Sequence, residues 1–225
     1  MRLIDKSNIF ELWKNADCVC FDVDSTVCRN EAIDDLADFV GLGNPVQQIT
    51  KEAMGGNMSF KEALKKRLSI IRPSLNVIQQ FNDIQQNQLT PYIKELIDLL
   101  HSKEVPVYLV SGGFRLIINP IANLLNIDRK NVYANTLKFD LNGEYLGFDE
   151  CEMTSESGGK ARVIENLKKL YNYDRVIMIG DGATDLESCP PADGFIGFGG
   201  NVVRELVKQN SQWFVYCFSE LIEKI

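Results

Sequence analysis

Histidine is almost missing from this chain, with a single residue, His101, among 225. It falls near the end of a helical stretch just before an apolar run, where a capping role fits better than catalysis. A histidine phosphatase mechanism is therefore poorly supported. The six cysteines, Cys18, Cys20, Cys28, Cys151, Cys189 and Cys217, form no CxxC pair and keep no regular spacing. Scattered reduced thiols are expected rather than a disulfide framework or a zinc site. Apolar runs are short, and none approaches the roughly 18 residues of a membrane span. The opening stretch, MRLIDKSNIFELWKNAD, is charged throughout and has no apolar core. No secretory signal is expected, and the cytosol is the default location. Basic residues are outnumbered, 24 against 31 acidic, for a net charge of −7. That balance argues against a nucleic-acid partner. An anionic ligand would have to find its positive field locally, in a few cations, helix ends or a metal.

Four short apolar runs are present: Cys18-Val19-Cys20-Phe21, Val105 to Val110, Val176 to Ile179, and Phe195 to Phe198. Each leads through Asp, Ser or Gly into a segment with helical spacing. Continuous runs of this length suit strands covered on both faces, and their alternation with helices predicts an α/β fold with a Rossmann-like parallel sheet. The helices expected between them include Pro91 to Ser102, Phe114 to Asn126 and Gly158 to Tyr171. Alternation stops from about Ala32 to Gln86, where only helical signals occur: Ile33-Leu36-Ala37-Val40, Val46-Ile49-Ala53 and Phe60-Leu64-Leu68-Ile71. Such an insertion reads as a helical cap over the sheet. The expected division is a core of 1–30 plus 88–225 and a cap of 31–87. Asn142-Gly143, between Leu137-Lys138-Phe139 and Tyr145-Leu146-Gly147, predicts a small inserted β-hairpin.

Ligands of open parallel sheets bind beyond the carboxyl ends of the strands. After the first run stand Asp22-Val23-Asp24-Ser25-Thr26, after the second Ser111-Gly112-Gly113, and after the third Gly180-Asp181-Gly182-Ala183-Thr184-Asp185. Asp22 and Asp24, two apart on extended chain, project to one side. Carboxylates held together repel unless a cation or a shared proton intervenes. With Asp181 at the same edge and no His or Cys partner, a hard divalent cation such as magnesium is the natural resolution. Ser157 reads as a helix N-cap, which puts Lys160 in the first turn, where the dipole disfavours a cation unless it faces a bound anion. Ser157-Gly158-Gly159-Lys160 is not a P-loop, because Thr154 stands at its first glycine position and Ala161 follows the lysine. Gly197-Phe198-Gly199-Gly200 lacks the spacing of a dinucleotide fingerprint.

Asp-Val-Asp-Ser-Thr, Ser-Gly-Gly, Lys160 and Gly-Asp-Gly-Ala-Thr-Asp, in this order, resemble the four motifs of the haloacid dehalogenase superfamily. Ala53-Met54-Gly55-Gly56, Val110-Ser111-Gly112-Gly113-Phe114-Arg115 and Phe195-Ile196-Gly197-Phe198-Gly199-Gly200-Asn201 resemble its eukaryotic phosphoserine phosphatase family. The resemblance covers nearly the whole chain. It implies Asp22 as nucleophile and Asp24 as acid and base. It also implies Mg2+ on Asp22, Asp24 and Asp181 with Asp185 in support, and phosphate held by Ser111, Gly112, Gly113 and Lys160, with Thr184 nearby. For the substrate O-phosphoserine, it implies Glu31 as partner of the ammonium, Arg67 as partner of the carboxylate, and Met54 and Gly55 as pocket wall. Arg67 is also conspicuous without the family, since it lies on the apolar side of its helix. A homodimer is an expectation from the family alone. Two alternatives stand beside this reading: a related phosphatase for another small phosphate ester, and a module that only accepts a phosphoryl group on Asp. The second carboxylate at Asp24 and the helical insertion speak against the latter.

Overall fold

A computed structural model describes residues 8–54, 58–84 and 88–225, except for the side chain of Met54. After a short helix α1 (Ile9–Lys14), the chain enters β1 (Cys18–Phe21), every residue of which is buried. Four helices follow before the next strand: α2 (Ala32–Phe39), α3 (Gly43–Met54), α4 (Phe60–Ile71) and α5 (Leu75–Ile84). Then come α6 (Ile93–Ser102), β2 (Val107–Phe114), α7 (Arg115–Leu124), β3 (Val132–Asn135), and the pair β4 (Leu137–Phe139) and β5 (Tyr145–Phe148). The last part runs α8 (Gly159–Tyr171), β6 (Val176–Gly180), α9 (Ala183–Leu186), β7 (Gly194–Phe198), α10 (Glu205–Asn210), β8 (Trp213–Val215) and α11 (Phe218–Ile222).

Six strands form one parallel sheet in the order β3-β2-β1-β6-β7-β8. The order reverses between β1 and β6, and a crevice opens at such a switch point beyond the strand ends. Alternation along β1 sends Val19 and Phe21 into one core with α1, α6 and α11. Cys18 and Cys20 go to the other face with Val163, Ile164 and Leu167 of α8, the shared face expected of them. All six cysteines are free thiols. No helix among the described residues is long and apolar enough to cross a membrane.

The inserted helices have an apolar core of their own, in which Leu36, Val46, Leu64, Leu68, Ile78 and Phe81 pack against Phe114 and Ile117. Leu137, Tyr145 and Phe148 of the hairpin join the same cluster, so the hairpin braces the cap. Gly143, at φ +82, makes the turn, and its carbonyl accepts the Leu75 amide at 2.8 Å. α4 starts on a full capping box, with Ser59 and Glu62 exchanging hydrogen bonds.

The structure departs from the sequence reading in three places. β2 runs on past the apolar run through Ser111-Gly112-Gly113 to Phe114, with a register shift against β3 after Val110. β3 lies ahead of the hairpin as an edge strand of the main sheet, and β8, unforeseen, is the other edge. The N-cap of α8 is Gly158 at φ +71, which makes no side-chain cap bond; Ser157 lies one residue outside.

Candidate active site

Five strand ends and loops converge on the switch point. Asp22 leaves β1 with its amide on the Ile179 carbonyl at 2.9 Å, which ties the nucleophile candidate to β6. The next residues form one wide helical turn, Val23–Val27, broken at Ser25, which adopts φ +53. A non-glycine in that region is held by its surroundings. Here the Ser25 amide donates to the Asn30 carbonyl (3.0 Å), its hydroxyl donates to Glu31 (2.9 Å), and its carbonyl accepts from Asn201 (3.1 Å).

Asp22, Asp181 and Asp185 are all buried, and each offers an oxygen within 4.8 Å of the others. Lys160, itself buried, lies 2.7 Å from Asp22 Oδ1 and 2.6 Å from Asp185 Oδ1. Asp185 tucks against the end of β6 because residue 180 is glycine: a Cβ there would sit 2.3 Å from the Asp185 carboxyl carbon. The other Asp185 oxygen accepts the Gly182 amide at 3.0 Å. Two cations, Lys160 and Arg204, leave this cluster only partly neutralised. A buried triad of oxygen donors without imidazole or thiolate fits a hard divalent cation. The Asp24 carboxyl stands outside the triad and accepts the Ala32 amide at 2.9 Å.

Burial first, then the Asp185 charge, pushes the Asp22 carboxyl up from its ordinary 3.8 to about 7 against the pull of Lys160. Burial, then Glu31 and Asp22, pushes Asp24 up to about 8. Burial likewise raises Asp181, Asp185 and Glu31. On Lys160 burial is the largest influence and acts downward, but Asp185 and Asp22 outweigh it and hold the ammonium above the usual lysine range. The site thus holds more negative charge than it can keep ionised without a further cation.

The phosphate-binding candidates lie beside this cluster. The Ser111 hydroxyl oxygen accepts the Gly113 amide at 2.9 Å, so its proton is free to be donated. The same peptide unit is fixed from its other end by Asn135, whose side chain donates to the Gly112 carbonyl at 2.7 Å. Thr154 donates in turn to Asn135. A Cβ on Gly112 would sit 2.6 Å from the Phe60 ring, so the cap rests directly on this end of β2.

A cavity of about 690 Å³ between cap and sheet is lined by Asp22, Asp24, Glu31, Arg67, Gly112, Gly113, Lys160, Asp181, Thr184 and Arg204, among others. Ser111 and Asp185 lie buried behind that wall. Arg67 is half-buried, donates to its own helix at the Ala63 carbonyl, and has no carboxylate within 4 Å among the described residues. Met54 ends α3, with its side chain outside the described residues, as is all of Gly55. His101, in the last turn of α6, does not line the cavity.

Arg204 and Asn135 are residues that the sequence reading missed, and Asn201 entered it only as the end of a motif, with no role given. Arg204 donates from Nε to Asp181 Oδ2 (2.8 Å) and from Nη2 to Glu31 Oε1 (3.2 Å). Its only local signal is its position just past Gly199-Gly200, on the loop leaving a sheet strand.

Residues 16–193 match the family described as haloacid dehalogenase-like hydrolase. The chain is 51% identical to the Homo sapiens protein named phosphoserine phosphatase over 223 residues, 99% of each chain. Among solved structures, DsGPDH of Dunaliella salina superposes at a TM-score of 0.87 with 36% identity, covering 97% of this chain; this chain spans only 37% of that longer one. A phospho-aspartyl intermediate analogue of a phosphoserine phosphatase superposes at a TM-score of 0.79 with 27% identity, covering 92% of this chain and 98% of that one.

Proposed function

The chain belongs to the phosphoserine phosphatases, within the haloacid dehalogenase-like hydrolases, and from that membership we propose that it hydrolyses O-phospho-L-serine to L-serine and phosphate through a phosphorylated Asp22, with magnesium as its cation. The observation that carries this reading is the buried meeting of Asp22, Lys160, Asp181 and Asp185 beneath a cap that offers Arg67 and Glu31 to the same cavity.

In the first step an Asp22 carboxylate oxygen forms a bond to phosphorus as the bond from phosphorus to the serine oxygen breaks. Asp24, protonated at neutral pH because its carboxyl is pushed up to about 8, gives its proton to the departing oxygen. An alkoxide leaves poorly, and an aligned acid contributes roughly two to four orders of magnitude. In the second step the same Asp24, now a carboxylate, takes a proton from the water that attacks phosphorus, and Asp22 is released. The Ser111 hydroxyl, the Gly112 amide and Lys160 are assigned to the phosphoryl oxygens, where fixed donors lower the barrier without reorganising. Asp22, the Asp24 backbone carbonyl, Asp181 and Asp185 are assigned to the metal, which when bound supplies positive charge to the transferring group. We assign residues 31–87 to a cap that selects the substrate: Glu31 receives the ammonium and Arg67 the carboxylate, while Thr184, on the core side, lines the same cavity near the phosphate; the assignment of Met54 and Gly55 to the pocket wall rests on the family resemblance alone. The remaining residues form the core.

The test is phosphate release from O-phosphoserine, phosphothreonine, phosphotyrosine, a sugar phosphate and an aryl phosphate, each with magnesium or EDTA. Magnesium-dependent release that strongly favours phosphoserine and vanishes in Asp22→Asn is the expected result. Release from the other esters but not from phosphoserine would keep the chemistry and remove the substrate.

A further inference from the structure

Arg204 belongs to none of the motifs, yet it joins the two halves of the site. Its guanidinium spans Asp181, on the loop after β6, and Glu31, the residue that opens the cap at the start of α2. We propose that Arg204 is a positioning residue that sets Glu31 for the ammonium of an amino-acid substrate while screening Asp181; the specificity half of this role rests on the phosphoserine reading above.

Three observations support it. Both hydrogen bonds that Glu31 accepts, from the Ser25 hydroxyl (2.9 Å) and from Arg204 Nη2 (3.2 Å), fall on Oε1. Among the described contacts, Oε2 is thus the oxygen left for an incoming ammonium. Second, the same guanidinium uses a different nitrogen, Nε, for Asp181 at 2.8 Å. A planar fork can hold two carboxylates in fixed relation, whereas a lysine ammonium on its flexible stem cannot. Third, Arg204, Glu31 and Arg67 all border the one cavity. Glu31, held in place by Arg204, and Arg67 on the same cavity match the two charges of an α-amino acid. A featureless aryl phosphate carries neither charge and would use neither residue.

The metal side has a definite sign. Arg204 places a positive charge against a carboxylate of the triad, so it tempers the attraction of that cluster for a divalent cation. Deleting the charge makes the site more negative.

Arg204→Met and Arg204→Lys test the proposal through steady-state kinetics on phosphoserine and an aryl phosphate, and through Mg2+ binding to the resting enzyme by calorimetry. For Arg204→Met, the phosphoserine KM is expected to rise about tenfold or more, the order lost with a charged hydrogen-bond partner. The aryl phosphate KM should move by less than about threefold, within the usual span of a lost neutral contact. Mg2+ should bind as tightly as in the parent enzyme or more tightly. Arg204→Lys should keep the parent Mg2+ affinity and still lose phosphoserine selectivity. Combined with Glu31→Gln, the two losses should be non-additive. Equal KM rises on both substrates, additive losses, or weakened Mg2+ binding in Arg204→Met would overturn the assignment and leave a scaffold arginine. A parent enzyme indifferent to phosphoserine would sink the function reading instead, and the Mg2+ titrations would still decide the screening role.

Discussion

At the scale of single residues, the site is a problem of excess negative charge solved by placement. Asp22 and Asp185 share Lys160, and Asp181 leans on Arg204. Removing one partner from a buried ion pair typically costs about 3–5 kcal/mol, because the other charge is left unpaired. Lys160→Met should therefore lower unfolding stability in magnesium-free urea titrations, and more at pH 8 than at pH 5, where the orphaned carboxyls can take up protons. Asp24 sets a second pH dependence. Its proton must be present for the serine oxygen to leave, and it is lost as pH rises through about 8. The kcat for phosphoserine should fall above that pH, by about tenfold per unit. An aryl phosphate, whose leaving group needs no proton, should show a shallower limb; identical limbs would take the acid role away from Asp24. Asp22, Asp24 and Asp181 were legible in the sequence because a strand end is a local feature, and Lys160 because a cation in the first turn of a helix is another. Arg204 was not: it meets a partner 173 positions away, and no spacing rule links them.

Among the elements, the crossing between core and cap carries most of the order. The two linkers pair at Cys28 and Leu89, and Thr90 donates to the Thr26 carbonyl at 2.6 Å. Asn201 locks them, donating to Thr90 Oγ1 (2.7 Å) and to the carbonyls of Ser25 and Cys28. Asn201→Ala should cost about 1–3 kcal/mol for the groups left unpaired. It should also speed amide exchange at Arg29 and Thr90, whose backbone amides bond across the crossing. Unchanged exchange there would mean that the linkers hold without it. The Gly199-Gly200 run, which fails as a dinucleotide fingerprint, has this packing role. A Cβ on Gly199 would meet Phe214 at 2.5 Å and one on Gly200 would meet Phe198 at 2.4 Å, so the loop can lie low enough to deliver Asn201 and Arg204. Strands β1, β6 and β7 were readable from continuous apolar runs, and the cap helices α2, α3 and α4 from helical spacing. The edge strands β3 and β8 are only four and three residues long, too short to stand out as apolar runs, and only pairing in the assembled sheet defines them.

For the whole molecule, the buried carboxyls tie stability to pH and metal. A carboxyl whose folded pKa is raised contributes stability that is present below its ordinary pKa and is lost as pH rises through the folded value. For Asp22 and Asp24 that window runs from 3.8 to about 7 and about 8. In magnesium-free buffer, Asp24→Asn should therefore melt higher than the parent, by a margin that grows from pH 5 to pH 8. Magnesium, which binds the folded ionised site, should raise the parent's melting temperature more at pH 8 than at pH 5. An equal shift at both pH values would place the cation elsewhere.

The central claim is that the phosphoryl group of phosphoserine passes through Asp22. The most direct measurement is rapid acid quenching of the enzyme with phosphorus-labelled phosphoserine and magnesium, followed by peptide mapping. Label that appears on the peptide containing Asp22 within the first turnover, disappears on a chase with unlabelled substrate, and is absent in Asp22→Asn is the expected result. Phosphate released at full rate with no label ever on that peptide would contradict the account, since water would then attack the ester directly.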